Sequence, residues 1–262
     1  MSELSTSREA LDLLHASHDR LVSALDGLDD DRARAQSYDD EWSVAQVASH
    51  LGSSAEIFSL HLEAGLTGSA AAGMETFQPI WDEWNAKEPL RQVRDAATAD
   101  AAFLERLDGL SPSEAEAWTL DLFGEVRDLA NLLRLRISEN VLHTWDIEVV
   151  SDPAATLPEE PLDVVMGNLP LIARYTGQKR DEPLSVEVRT SSPERALHLD
   201  LGPTGAALSP SYDDTAADAE LTLPAEAFVR LVYGRLDPDH TPGSVTVTGM
   251  DLDELRATFP GV

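Results

Sequence analysis

The stretch "SENVLHTWDIEVV", from Ser138 to Val150, carries a carboxylate, an imidazole and a second carboxylate at helical spacing. Arg136, Glu139, His143 and Asp146 follow one another at steps of three, four and three, which puts them on one helix face. Leu133, Ile137, Val141, Leu142, Trp145 and Val149 cover much of the remaining circumference. Such a helix is well buried, so its ionisable stripe either meets solvent or lines a polar cavity. Glu139 and His143, as i and i+4, can grip one ion together. His50 lies beside the apolar stripe of an earlier segment, at Val47 and Leu51, and would complete a set of three. Two imidazoles and one carboxylate with a fourth position open is the usual composition of a catalytic zinc site. Nitrogen and oxygen donors also suit nickel, cobalt or manganese. Asp146 is placed to orient the His143 ring from behind. Arg136 is placed to hold an anionic substrate group or to pair with Glu139. The spacing leaves the third ligand open, because a Glu/His pair four apart is common on helices. His15 and His18 both fall on the apolar stripe of the first helix and rival His50. His61, near the end of its helix, reads as exposed; His198 and His240 belong to the second half.

Four helices must position these groups. "TSREALDLLHASHDRLVSALDGL" opens on Thr6 with Glu9 three residues on, the pattern of a capping box. A second helix starts at Ser43, with Gln46 in the matching position, and Gly65 and Gly68 are its candidate stops. A third spans roughly 89–107. The fourth spans roughly 125–150 and is closed by Asp152-Pro153. Together they predict a four-helix bundle over residues 1–152, with the segment carrying Pro79, Trp81 and Trp84 packed over one end. The stretch "SDPAATLPEEPL" reads as a linker. Beyond it, residues 160–262 read as a small α+β domain. A helix over about 162–175 precedes the half-buried strands "LSVEVRT" and "ALHLDLG". A strand then runs into a helix with Pro224 at its first position. "GSVTVTG" is a further strand and "DLDELRATF" a closing helix.

Composition narrows the function classes. Asp and Glu outnumber Lys and Arg 48 to 19 among 262 residues, a formal charge of −29. That balance disfavours nucleic acid and anionic membranes as partners. Cysteine is absent, so the chain has no disulfide and no thiol nucleophile of its own. No apolar run has the length of a signal-peptide core at the N-terminus or of a membrane span anywhere. The expectation is a cytoplasmic protein acting on small molecules as a monomer or homodimer.

"EWSVAQVASHL", Glu41 to Leu51, followed about 90 residues later by "ENVLHTWDIEVV", resembles the mycothiol-dependent maleylpyruvate isomerase family of DinB-like four-helix metalloproteins. The resemblance implies metal ligands at His50, Glu139 and His143, with Trp42 and Asp146 at flanking motif positions. "ADAELTLPAEAFVRLVYGRLDPD" and "SVTVTGMDLDELRATFPG" resemble the C-terminal domain of that family, itself similar to sterol-carrier-protein-2 domains. The recognisable parts are Gly234-Arg235 and residues 245–249. What the family implies is zinc together with mycothiol, the low-molecular-weight thiol of actinobacteria. A metal-coordinated thiol loses its proton and becomes a nucleophile. It can add to an activated double bond, allowing rotation before elimination, or it can displace a leaving group. The activities implied are therefore an isomerase or a thiol S-transferase on a small electrophile. The acidity of the chain opposes long-range steering of a dianionic substrate and favours the transferase. Arg235 and Trp42 are candidates for substrate contact, although Arg235 equally reads as a surface arginine ending a helix. The alternatives are a lipid-binding module built on the sheet domain and a metal-binding regulator without chemistry.

Overall fold

The computed structural model describes residues 3–122, 124–211 and 217–261. The chain divides into two compact units, Met1–Ala155 and Thr156–Val262.

In the first unit the long helices are α1 (Glu3–Leu25), α3 (Val44–Thr67), α5 (Pro89–Asp108) and α7 (Leu129–Glu148). Shorter elements lie between them: α2 (Asp30–Arg34), α4 (Met74–Asn85), α6 (Pro112–Ala117) and the hairpin β1 (Thr119–Leu122) and β2 (Glu125–Asp128). Each long helix buries apolar side chains, with Leu14 and Leu21 from α1, Leu51 and Leu62 from α3, Phe103 from α5, and Ile137 and Trp145 from α7 all removed from solvent. The four-helix bundle read from apolar periodicity is the observed fold.

Local chemistry sets where α3 begins. The Ser43 hydroxyl accepts from the Gln46 amide, and the Gln46 side chain accepts from the Ser43 amide at 2.9 Å. This reciprocal cap satisfies two donors that the first helical turn leaves over. The helix ends at Gly68, whose φ of +69° is the left-handed conformation glycine takes without strain. Gly65 lies inside the helix and serves another purpose. A Cβ there would come within 2.2 Å of the Trp118 indole, and one at Gly52 would come equally close to Trp84. Two indoles therefore pack directly on the α3 backbone. Trp84 arrives there on α4, the short helix that fills the segment before α5.

Two boundaries and one side chain's exposure differ from the sequence reading. Helix α1 is already formed at Glu3, so Thr6 lies within it; an N-cap needs extended backbone, which Thr6 does not have. The fourth helix begins at Leu129, four residues later than expected from Glu125. Residues Glu125–Asp128 instead pair antiparallel with Thr119–Leu122 across a turn at Gly124, φ +80°. The Asp128 carboxylate then caps α7 by accepting from the Asn131 amide at 2.8 Å. His61 is not exposed. It is part-buried between Phe58 and Phe77, with ring centroids 6.4 and 5.7 Å away, because α4 brings Phe77 against it. Burial lowers its pKa.

The second unit is α+β. It contains α8 (Leu162–Thr176), β3 (Leu184–Ser191), β4 (Arg195–Gly202), β5 (Gly205–Pro210), β6 (Ala219–Pro224), α9 (Ala225–Val232), β7 (Thr246–Thr248) and α10 (Leu252–Thr258). The sheet order is β5-β4-β3-β6-β7, with β3 and β6 parallel and the other neighbours antiparallel. Pro224 ends β6 and stands at the N-cap of α9, one place earlier than read from sequence. Every residue of α9 is buried. Among the described residues no helix is long and apolar enough to cross a membrane.

Candidate metal centre

Helices α3 and α7 bring three side chains to one point. His50 Nε2 lies 2.9 Å from Glu139 Oε2, and His143 Nε2 lies 3.8 Å from the same oxygen. The two imidazole centroids are 4.5 Å apart, close to edge-on. Among the described residues this is the one group of three or more His, Cys, Asp or Glu whose candidate ligand atoms all fall within 4.8 Å of one another. The side chains of His50, Glu139 and His143 are 29%, 37% and 16% exposed, so the group is held by the bundle yet open to a ligand.

The surroundings orient each donor. Asp146 is fully buried, and its Oδ2 lies 2.9 Å from His143 Nδ1. With the proton on Nδ1 donated to that carboxylate, the Nε2 lone pair faces Glu139 and His50. The Trp42 ring lies 5.2 Å from His50 and 6.3 Å from His143, and walls one side. Its carbonyl accepts from the Ser37 amide, the Ser37 hydroxyl and Gln36 Nε2 at 2.7–3.0 Å. The Tyr38 amide donates to the Asp146 carbonyl at 3.1 Å, so the loop carrying Trp42 is tied to the α7 turn that orients His143. Burial pushes the Glu139 carboxyl up. The hydrogen bond from His50 and the nearby charges of His50, His143 and Arg136 outweigh it and hold the pKa at about 2. Glu139 is thus a carboxylate at any physiological pH.

The donor set fits a divalent cation. Tetrahedral bonds of about 2.0–2.2 Å put donors roughly 3.4 Å apart. The observed separations of 2.9 and 3.8 Å straddle that spacing. One carboxylate and two neutral imidazoles would leave at least one coordination position for a substrate or cofactor atom.

The rival histidines are engaged elsewhere. His15 Nε2 meets Asp108 at 3.1 Å on the surface, and His18 Nδ1 meets Asp100 at 2.8 Å. Arg136 is fully buried and pairs with Asp100, not with Glu139, so it is out of reach of a substrate anion. Arg235, in the second unit, is buried and donates from Nη1 to the Tyr233 carbonyl at 2.9 Å. Asp100 is a functional neighbour that no sequence motif singles out. Its signal was there: it occupies a core position of α5, in step with Val93, Ala96, Phe103 and Leu107, where an acid demands a partner.

Two histidines and a carboxylate converge from facing helices of a four-helix bundle, and a five-stranded α+β unit follows it. Residues 14–148 match the mycothiol maleylpyruvate isomerase N-terminal domain and residues 159–256 match the MDMPI C-terminal domain, and the chain belongs to this family. Solved structures share the fold, among them these two. The crystal structure of the mycothiol-dependent maleylpyruvate isomerase is 15% identical with a TM-score of 0.66, and that of a histidine-to-alanine mutant of the isomerase is 15% identical with a TM-score of 0.67. Each alignment covers 96% of this chain and 98% of the other. No curated protein matches the chain.

Proposed function

We propose that the protein is a mycothiol-dependent isomerase of small unsaturated electrophiles, with a divalent cation, zinc before others, held by His50, Glu139 and His143. The observation that carries this reading is the convergence of those three donors, from α3 and α7, at the edge of the bundle. Family membership supplies the cofactor and the reaction class. A bound cation would lower the pKa of the mycothiol thiol and so supply a thiolate at neutral pH. The chain's own residues do the rest. Glu139 stays ionised and brings one negative charge to the centre. Asp146 fixes the His143 tautomer, and Trp42 supplies an apolar wall that limits water on one side.

A second reading, thiol S-transfer to a neutral electrophile, is favoured by two observations. The chain carries a formal charge of −29, and Arg136, one helical turn before Glu139, is turned into the core. Both disfavour capture of a dianion at this end of the bundle.

The test is elemental analysis of the purified full chain, followed by turnover of maleylpyruvate and of neutral electrophiles with mycothiol. The isomerase reading expects about one zinc per chain, and isomerisation that needs both mycothiol and metal. Turnover of neutral electrophiles alone selects the transferase. Absence of metal in a zinc-supplemented preparation rejects the centre.

A further inference from the structure

We propose that the buried Arg136–Asp100 pair is a positioning clamp that sets the spacing of α3 and α7 at the metal centre, an inference that rests on the metal reading above. The Arg136 guanidinium has no solvent exposure. Its Nη2 donates both to Asp100 Oδ1 at 2.7 Å and to the Leu51 carbonyl at 3.0 Å, and its Nε reaches the same carboxylate oxygen at 3.2 Å. Leu51 is the residue after His50, and Arg136 lies one turn before Glu139. One planar cation therefore joins the backbone beside the α3 ligand to the turn of α7 that precedes the other two.

The clamp is itself held. His18 Nδ1, from α1, contacts the second Asp100 oxygen at 2.8 Å, and Asn140 Nδ2 lies 3.3 Å from both oxygens. The Phe58 ring lies 5.7 Å from the guanidinium carbon. All four long helices thus meet at one ion pair, with α3 contributing a backbone carbonyl that cannot move unless the helix moves. A guanidinium fork is rigid, so it transmits distance and direction together.

Stability alone does not call for this arrangement. A buried ion pair often does no better than apolar side chains of similar volume, because desolvation offsets the attraction. What an apolar pair cannot do is fix the distance from α7 to one particular carbonyl of α3. A ligand set needs its donors placed to within about 0.5 Å. Electrostatics and positioning also predict opposite signs. A cation close to Glu139 repels an incoming metal, so removing its charge would tighten binding; removing a positioning contact weakens it.

The deciding variant is Arg136→Met combined with Asp100→Leu, which removes one charge of each sign. Zinc binding to the chelator-treated full chain is titrated calorimetrically, with the melting temperature of the metal-free protein and the visible spectrum of the cobalt-loaded protein measured in parallel. The clamp predicts a metal affinity about 10–100-fold weaker and an altered cobalt spectrum in a metal-free protein that still melts cooperatively. Arg136→Lys, which keeps the charge and loses the fork, is expected between the two. Parent-like or tighter affinity with an unchanged cobalt spectrum overturns the proposal. Should the double variant fail to fold, parent-like affinity in Arg136→Lys overturns it and weakened affinity supports it. A parent protein that takes up no zinc removes the metal reading and the clamp together, and so is told apart from failure of the clamp alone.

Discussion

Helix α7 carries two polar clusters one turn apart, and they are built to opposite rules. At Glu139 and His143 the side chains are partly open, and their Oε2 and Nε2 atoms face a shared point with His50 Nε2. Arg136, Asn140 and Asp100 are buried, and the Asp100 oxygens are taken up by an arginine, a part-buried histidine and an amide. Both carboxylates are held at about 2, and in both burial alone would push them up. Asp100 is brought down chiefly by the Arg136 charge and the His18 hydrogen bond; Glu139 is brought down by the two imidazoles that would share a metal with it. A low carboxylate pKa therefore does not mark the functional site. Open donors converging on one point mark the proposed metal centre, and a buried ion pair marks the scaffold.

The largest expected effect is loss of metal. His143→Ala and His50→Ala should each drop zinc from about one per chain to a trace while the fold persists, read by elemental analysis and circular dichroism. Full zinc content in both would end the distinction between the clusters. Next comes stability. Asp100→Asn leaves the Arg136 charge buried without a counter-ion and should cost about 3–5 kcal/mol in urea unfolding. Glu139→Gln, in metal-free protein, should cost about 1 kcal/mol or less, since a side chain more than one-third exposed is screened by water. Equal costs would show that the two sites are not built differently. Asp146→Asn touches no metal but frees the His143 ring, and should weaken zinc binding about 10–100-fold with little change in fold.

The pH dependence sharpens the contrast further. Both carboxylates have folded values below their ordinary 3.8 and 4.5, so the stability they contribute is complete above those values and lost as pH falls toward about 2. Asp100→Asn should flatten this acid limb more than Glu139→Gln does. His18 works in the other direction. Its pKa is raised by the Asp100 hydrogen bond, against an opposing effect of burial. Its contribution is therefore complete below the ordinary value of 6.5 and lost as pH rises through the raised one. His18→Gln should remove that alkaline slope in a series of thermal melts, the smallest of these effects.

Much of the fold was legible because it is written in local patterns. The apolar period announced the long helices, and the Ser43–Gln46 cap announced the start of α3. The hairpin before α7 was not read, because four-residue strands are too short for alternation to outweigh a neighbouring helical period. The start of α1 was misplaced because a capping pattern cannot show whether the backbone before it is already helical. In the second unit β5 gives no strand signal, since "GAALSP" carries no β-branched or aromatic residues.

The sequence by itself determined that Glu139, His143 and Asp146 share a face, since three- and four-residue steps on a helix leave no other arrangement. It also placed His50 shortly after a well-capped helix start. Only the tertiary structure decided that His50, and not His15 or His18, meets that face, and that Arg136 turns to Asp100 and away from Glu139. Those choices depend on how helices pack side by side: an indole lying on the bare backbone at Gly52, and a fully buried acid on α5 that demands the nearest cation. Helical periodicity is a property of neighbours along the chain. The partner across a bundle is set by the volume and charge that distant segments bring to the same place.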